Sequence, residues 1–312
     1  MRALFMACAL LTGGSVRGQG DILTEDVTRF WEAFDALAGA KDHADSVGII
    51  RERYLEAGSE GLQRFRKVRD LDPERYVEAI AAAPAFWRSV RANTLNAGAH
   101  AEAIRHVLDR YEEQVPGFKR PKVCFAIGRL STGGTVSRGW ILIGAEIVCA
   151  DSTTDVHELN AWLRAVLRPT SQELAFVAHE AVHTRQRKGP RLVWGYLTHR
   201  LLLMSHLEGT ADLVAREVAG ITINEAVHAY GRAHEAELWA EFREQMHGND
   251  ISGWLYQGPR STDRPADLGY FMGERIAARY YASEPDKRRA LRVLLRGGAA
   301  RKVLRKGGYA GP

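Results

Sequence analysis

The sequence predicts a mainly α-helical chain with one small antiparallel β-sheet, an α+β domain. Three observations carry that expectation. Apolar residues recur at helical spacing over most of the chain, only residues 121–149 read as strand, and no repeat or low-complexity linker divides the chain. With 312 residues, 46 % of them hydrophobic, there is ample material for a large core.

Residues 1–20 have the form of a secretory signal. Arg2 supplies a positive charge, Ala3 to Leu11 a short apolar core, and Gly13 to Gly20 a small and polar end. A buried N-terminal helix is the alternative. No later stretch is apolar and long enough to span a bilayer. The expected location is therefore the periplasm or the exterior of a bacterial cell. Cys8 lies too early in the apolar run to be a lipoprotein cysteine.

Residues 21–286 are expected to form a single domain. Its part from 21 to 116 reads as helical, beginning after Leu23-Thr24 and running through Phe30, Trp31, Phe34 and Leu37. Tyr54–Phe65, Pro73–Val90 and His100–Tyr111 continue in kind, the last stopped by Pro116-Gly117. A hairpin is expected over 121–149, with strands at Lys122–Ile127 and Trp140–Val148 around Gly133-Gly134. In an antiparallel pair Cys124 and Cys149 can face each other. An exported protein leaves a disulfide or two buried thiols equally open. Helices follow over 170–220. A looser stretch at 247–268 precedes two more helices, at about 268–283 and 285–306.

Charge is unevenly placed. The net charge is +5, yet the nine Lys and Arg beyond Asp286 meet no acid there, so the rest of the chain is net negative. The basic C-terminal segment, 287–312, interleaves Leu291, Val293, Leu294, Leu295, Val303 and Leu304 with its cations. It reads first as an amphipathic helix docked by its apolar side, and second as a weak contact with an anionic membrane surface. No nucleic-acid fingerprint or aromatic-interleaved basic groove is present, so no nucleic acid is expected.

The chemistry concentrates at His179-Glu-Ala-Val-His183. On a helix this spacing puts two imidazoles one turn apart on one face, where they can clamp a zinc ion, with Glu180 beside it as a base. Helical context is supported by Pro169, by a capping box at Thr170-Ser-Gln-Glu173 and by Gly189-Pro190 beyond. A catalytic zinc takes three protein ligands and keeps one open position. Glu208 follows His183 by 25 positions, room for a turn and a returning helix. Asp212 stands one turn further on, where it can accept the free ring N–H of a ligating histidine. His206 is a rival third ligand without such a partner. The metzincin extension is absent, since Gln186 and Gly189 occupy its places. The pattern is that of a gluzincin, with metal ligands His179, His183 and Glu208. A hairpin just before such a helix suits a peptide or protein substrate, which can add a strand to its edge. Gly133, Gly134 and Gly144 permit close approach there, or serve as turn residues.

The chain resembles the gliding-motility-related, predicted zinc-dependent protease family of bacteria. The resemblance rests, in order, on Ile127-Gly-Arg-Leu-Ser-Thr-Gly-Gly-Thr135, His179-Glu-Ala-Val-His-Thr-Arg-Gln186, Glu208-Gly-Thr-Ala-Asp212 and Asp267-Leu-Gly-Tyr-Phe-Met-Gly273, and covers about residues 22–285. It implies zinc and peptidase chemistry in an exported or lipid-anchored protein. The last motif adds Tyr270 as a donor to the oxyanion of a tetrahedral intermediate, with Tyr280 or Tyr281 as alternatives, or Tyr270 as a core aromatic. Two functions follow. One is a zinc peptidase with Glu180 as general base. The other is a non-catalytic envelope component whose fold zinc stabilises.

Overall fold

A computed structural model of the chain describes residues 20–167, 171–186, 189–261 and 263–312. The expected signal segment, save Gly20, lies outside them, as does Thr170 of the expected capping box. Among the described residues no helix is long and apolar enough to cross a membrane.

A short strand β1 (Ile22–Leu23) leads into six helices: α1 (Glu25–Ala36), α2 (His43–Ile50), α3 (Glu60–Arg69), α4 (Pro73–Ala82), α5 (Pro84–Leu95) and α6 (Ala101–Gln114). Helix breaks follow local chemistry. Helical structure continues past α2 to Glu56, so Tyr54 belongs to its end rather than to the start of α3. Ser59 caps α3 by accepting from the Gly61 and Leu62 amides. The helix expected over 73–90 is two, because Pro84 has no N–H to donate and starts α5 instead.

The sheet departs from the expected antiparallel hairpin. Its strands β2 (Lys122–Ala126), β3 (Gly134–Ser137) and β4 (Trp140–Gly144) join β1 in the order β1-β2-β4-β3. β2 runs parallel to β4, with Lys122 opposite Trp140 and Ala126 opposite Gly144. Among the described residues only β3 and β4 form an antiparallel hairpin, turning at Gly139 with φ +77°. The sheet is thus mixed. β2 and β4 are apolar nearly throughout because helices cover both their faces, and such runs carry no alternation from which to read direction.

This topology decides between the two cysteine alternatives, because Cys124 and Cys149 do not face each other across a ladder. Cys124 stands opposite Leu142, while Cys149 lies past β4 at the end of α7 (Ala145–Val148). Both are free, buried thiols, with sulfurs 3.6 Å from Asp26 Oδ2 and 3.5 Å from Glu173 Oε1. Burial pushes both thiols well above their usual pKa, which suppresses the thiolate needed for oxidation.

The remaining helices are α8 (Ala161–Val166), α9 (Glu173–Arg185), α10 (Pro190–Thr198), α11 (Arg200–Val214), α12 (Glu225–Ala233), α13 (Glu235–Gln245), α14 (Leu268–Ser283), α15 (Lys287–Leu294) and α16 (Ala300–Gly307). Two apolar clusters organise them. One lies between the N-terminal helices, the sheet and α9; the other gathers α11, α13, α14 and the C-terminal helices. α11 borders both, through Ala211 and Val214 in the first and Leu201, Leu202 and Leu213 in the second. α15 and α16 bury Leu291, Val293, Leu294 and Val303, so the basic segment docks its apolar side on the domain.

α11 and α14 meet almost backbone to backbone. A Cβ on Gly273 would lie 1.7 Å from the Ser205 carbonyl oxygen, and one on Gly209 would lie 2.0 Å from the Glu274 amide. Only glycine fits either position.

Candidate metal centre

α9 begins at Glu173, two residues later than a capping box at Thr170 implies. Glu173 turns inward toward Cys149, and the chain ahead of it is tied down by the Gln172 amide, which donates to Val148 O at 2.7 Å. α9 packs on β3 and β4, and the 3.6-residue period then stacks His179 and His183 on the face turned toward α11. Their Nε2 atoms are 3.0 Å apart. Glu208 Oε2, on α11, is 3.3 Å from His179 Nε2 and 3.2 Å from His183 Nε2. His179 and Glu208 are buried and His183 half-buried.

The outer atoms of each imidazole fix its tautomer. Asp212 Oδ1 lies 2.8 Å from His179 Nδ1. A carboxylate accepts only, so that Nδ1 carries the proton. Gln186 Nε2 donates to Leu207 O at 2.7 Å, which turns Gln186 Oε1 onto His183 Nδ1 at 2.8 Å. That Nδ1 is a donor too. Both Nε2 atoms of the neutral rings then present lone pairs to each other and to a carboxylate. Three electron-pair donors this close repel unless a cation sits among them, and a metal ion meets that need as a proton does. Zinc–ligand bonds of 2.0–2.1 Å at tetrahedral angles separate the ligand atoms by about 3.3 Å. The observed 3.0, 3.2 and 3.3 Å fit that edge length.

The electrostatics follow. Burial raises the Glu208 pKa, but the two imidazoles outweigh it and hold the carboxyl well below the usual range. Burial opposes the imidazolium at His179 and His183, and the surrounding carboxylates outweigh it, so both pKa values lie above the ordinary one. Glu180 behaves oppositely. Burial dominates, and its pKa is raised despite the nearby imidazoles. A carboxylate so placed is a stronger base than one in water.

Glu180 lies between the two histidines and the edge strand. A Cβ on Gly134 would lie 2.8 Å from Glu180 Oε1, and one on Gly133 would lie 2.4 Å from the Phe176 ring. These two glycines let the edge of the sheet approach α9, beyond any turn function. Arg69 donates to Thr132 Oγ1 at 2.7 Å and to Gly134 O at 3.2 Å, bracing the same edge. Gly144 is a different case: a Cβ there would lie 2.1 Å from Thr132 O, so it serves packing within the sheet.

Tyr270, on α14, stacks over His179 with ring centroids 6.0 Å apart. Burial raises its phenol pKa well above 10, which keeps it a neutral donor. Tyr280 is buried in the second apolar cluster, and Tyr281 packs against both clusters from their margin. His206 is not among the converging donors; burial lowers its pKa to about 4, and its nearest side-chain partner is the Thr210 hydroxyl at 3.4 Å.

Three further groups have no counterpart in the sequence reading. Gln186 serves His183 as Asp212 serves His179; its helical i+3 spacing from His183 was available as a signal. His228, on α12, sets Nε2 2.8 Å from Asp212 Oδ2, and nothing local announces it. Tyr256 comes from the loose stretch before α14, at φ +57°, and donates its hydroxyl to Glu208 Oε1 at 2.6 Å. It thus satisfies the carboxylate oxygen that faces away from the histidines.

Compared with models of protein families, with curated proteins and with solved structures, the chain gives no match. The site is therefore interpreted on its own geometry: a buried His179, His183 and Glu208 triad able to hold a metal ion.

Proposed function

We propose that this protein is a zinc-dependent peptidase of the gluzincin kind, exported from a bacterial cell, that hydrolyses peptide bonds. The observation that carries the reading is the convergence of His179 Nε2, His183 Nε2 and Glu208 Oε2 beside a buried Glu180 of raised pKa. Among the described residues three protein donors converge rather than four, which favours a catalytic over a structural site, because a structural zinc is closed by a fourth protein ligand. A bound zinc supplies Lewis acidity, which polarises a carbonyl and brings the pKa of a water to about 7.

The chain's own groups do the rest. Glu180 takes a proton from the attacking water and returns it to the leaving amine nitrogen. Asp212 and Gln186 hold the imidazoles in the tautomer that leaves Nε2 free. Tyr270 donates to the developing oxyanion, and Tyr256 orients Glu208. The β3 edge, brought against Glu180 by Gly133 and Gly134, receives an extended substrate backbone.

The decisive experiment pairs metal analysis with Glu180→Gln. Purified protein should hold about one zinc per chain and cleave a peptide library, and the variant should keep the zinc and lose cleavage. A variant as active as the parent sinks the assignment of Glu180.

A further inference from the structure

The described surface carries one apolar face that the fold does not use. On α10 the side chains of Val193, Trp194 and Leu197 are 61 %, 62 % and 65 % exposed, and Tyr196 is 39 % exposed. Their spacing, i, i+1, i+3 and i+4, gathers them on one side of the helix, while Gly195 faces inward to Leu203 and His199. Tyr196 lies toward the metal site, where burial and the nearby Glu208 carboxylate raise its phenol pKa, and Val193, Trp194 and Leu197 are the most exposed of the four. Those three suit a continuous apolar phase.

The rim of this face is cationic. Arg191, in the first turn of α10, packs against Gly298, the turn between α15 and α16. Arg200 opens α11, and the charge of Arg301 reaches His199 at the C-terminal end of α10. Arg305, one turn beyond Arg301, shares its face of α16. All four arginines are exposed, and none pairs with an acidic side chain among the described residues. The docked C-terminal segment therefore places unneutralised cations near α10.

We propose that α10 and its arginine rim form a docking surface for an anionic lipid membrane. Trp194, Leu197 and Val193 enter the headgroup–acyl boundary, where indole rings are favoured, and Arg191, Arg200, Arg301 and Arg305 meet the lipid phosphates. The helix lies in the interface and does not span it. α10 leads directly into α11, the helix that carries Glu208. This inference stands on the surface alone, without reference to the peptidase reading.

The test uses the full chain and extruded vesicles of phosphatidylcholine with or without phosphatidylglycerol. Protein should sediment with the phosphatidylglycerol vesicles at low salt and be released as salt rises. Brominated acyl chains should quench tryptophan emission in the parent, and less in Trp194→Phe. Trp194→Ala with Leu197→Ala should lower the partition coefficient about tenfold or more. Arg191→Gln and Arg301→Gln should each lower it about fivefold. All four positions are exposed, so thermal unfolding should be unchanged and a loss of binding is not a loss of fold. Equal sedimentation with pure phosphatidylcholine, or a Trp194/Leu197 variant that binds like the parent, overturns the proposal. So does a parent that ignores vesicles and sediments as a dimer dissolved by that double variant, which would make the face a contact between copies.

Discussion

Replacing Asp212 by Asn isolates what the carboxylate does for the metal site. The side chain is 3 % exposed, and its oxygens lie 2.8 Å from His179 Nδ1 and 2.8 Å from His228 Nε2. Asn keeps the shape but offers one oxygen and one NH2. If the oxygen faces His228, the NH2 opposes His179 Nδ1, and that ring must carry its proton on Nε2, the atom that should hold zinc. If the oxygen faces His179, the ring keeps its tautomer but loses the charge that makes Nε2 electron-rich, and His228 must rearrange. Either way the expected loss of zinc affinity is about 10- to 100-fold, or about 1.4–2.7 kcal/mol. Competition against a chromophoric chelator at neutral pH measures it, with circular dichroism as the check on folding. A folded Asp212→Asn protein whose zinc dissociation constant lies within about twofold of the parent's would refute the claim that Asp212 sets the tautomer of a ligand.

Other expectations test the scaffold and the two phenols. Gly273→Ala drives a Cβ to 1.7 Å from Ser205 O and must separate α11 from α14. Overpacking of about 2–3 kcal/mol should lower the melting temperature by roughly 4–12 °C and weaken zinc binding through Glu208. Gly48→Ala, in α2 with nothing within 4 Å of the added Cβ, should instead stabilise by about 0.5–1 kcal/mol. Tyr270→Phe should lower kcat with zinc affinity unchanged, whereas Tyr256→Phe should weaken zinc binding by freeing Glu208 Oε1; the reverse result exchanges their roles. Glu146 gives a pH signature. Burial raises its pKa from the ordinary 4.5 to about 7, against hydrogen bonds from the Gly128 and Leu130 amides. Between those values the unfolded chain has released its proton and the native one has not, so native stability falls as pH rises from about 4.5 to about 7 and levels off above. The total is on the order of 3 kcal/mol, and Glu146→Gln should flatten it in urea titrations across that range.

The legible parts of the sequence were those whose information is local. His179, Glu180 and His183 are one turn of one helix, and Glu208 and Asp212 one turn of another, so helical period alone placed each group. The pairing of the two turns needed only a plausible return distance. The direction of the sheet's strands is not legible in the sequence, because β2 and β4 are apolar on both faces and β3, the strand between them in sequence, is four residues at the edge. With no alternation to show direction, adjacency suggested a hairpin where the chain makes a parallel pair, and of the two cysteine alternatives the buried thiols are the one present. Helix breaks at Ser59 and Pro84 have local cues in capping and in the missing N–H, which the longer periodic runs around them mask.

The groups that complete the site lie beyond any local pattern, and each arrives by a different tertiary route. His228 reaches Asp212 from α12, Tyr256 reaches Glu208 from an irregular loop, and Gly273 lets α14 touch α11 so that Tyr270 can lie over His179. These contacts share one physical purpose. Burying two imidazoles and three carboxylates within a few ångströms is costly unless each lone pair and proton has a partner. A motif states which atoms meet a metal. The burial of those atoms then demands a surrounding set of donors and acceptors, and the demand is open to any residue the fold can deliver. Gln186, His228 and Tyr256 meet it here, which is why a short pattern marks the centre of such a site and leaves its rim to the tertiary structure.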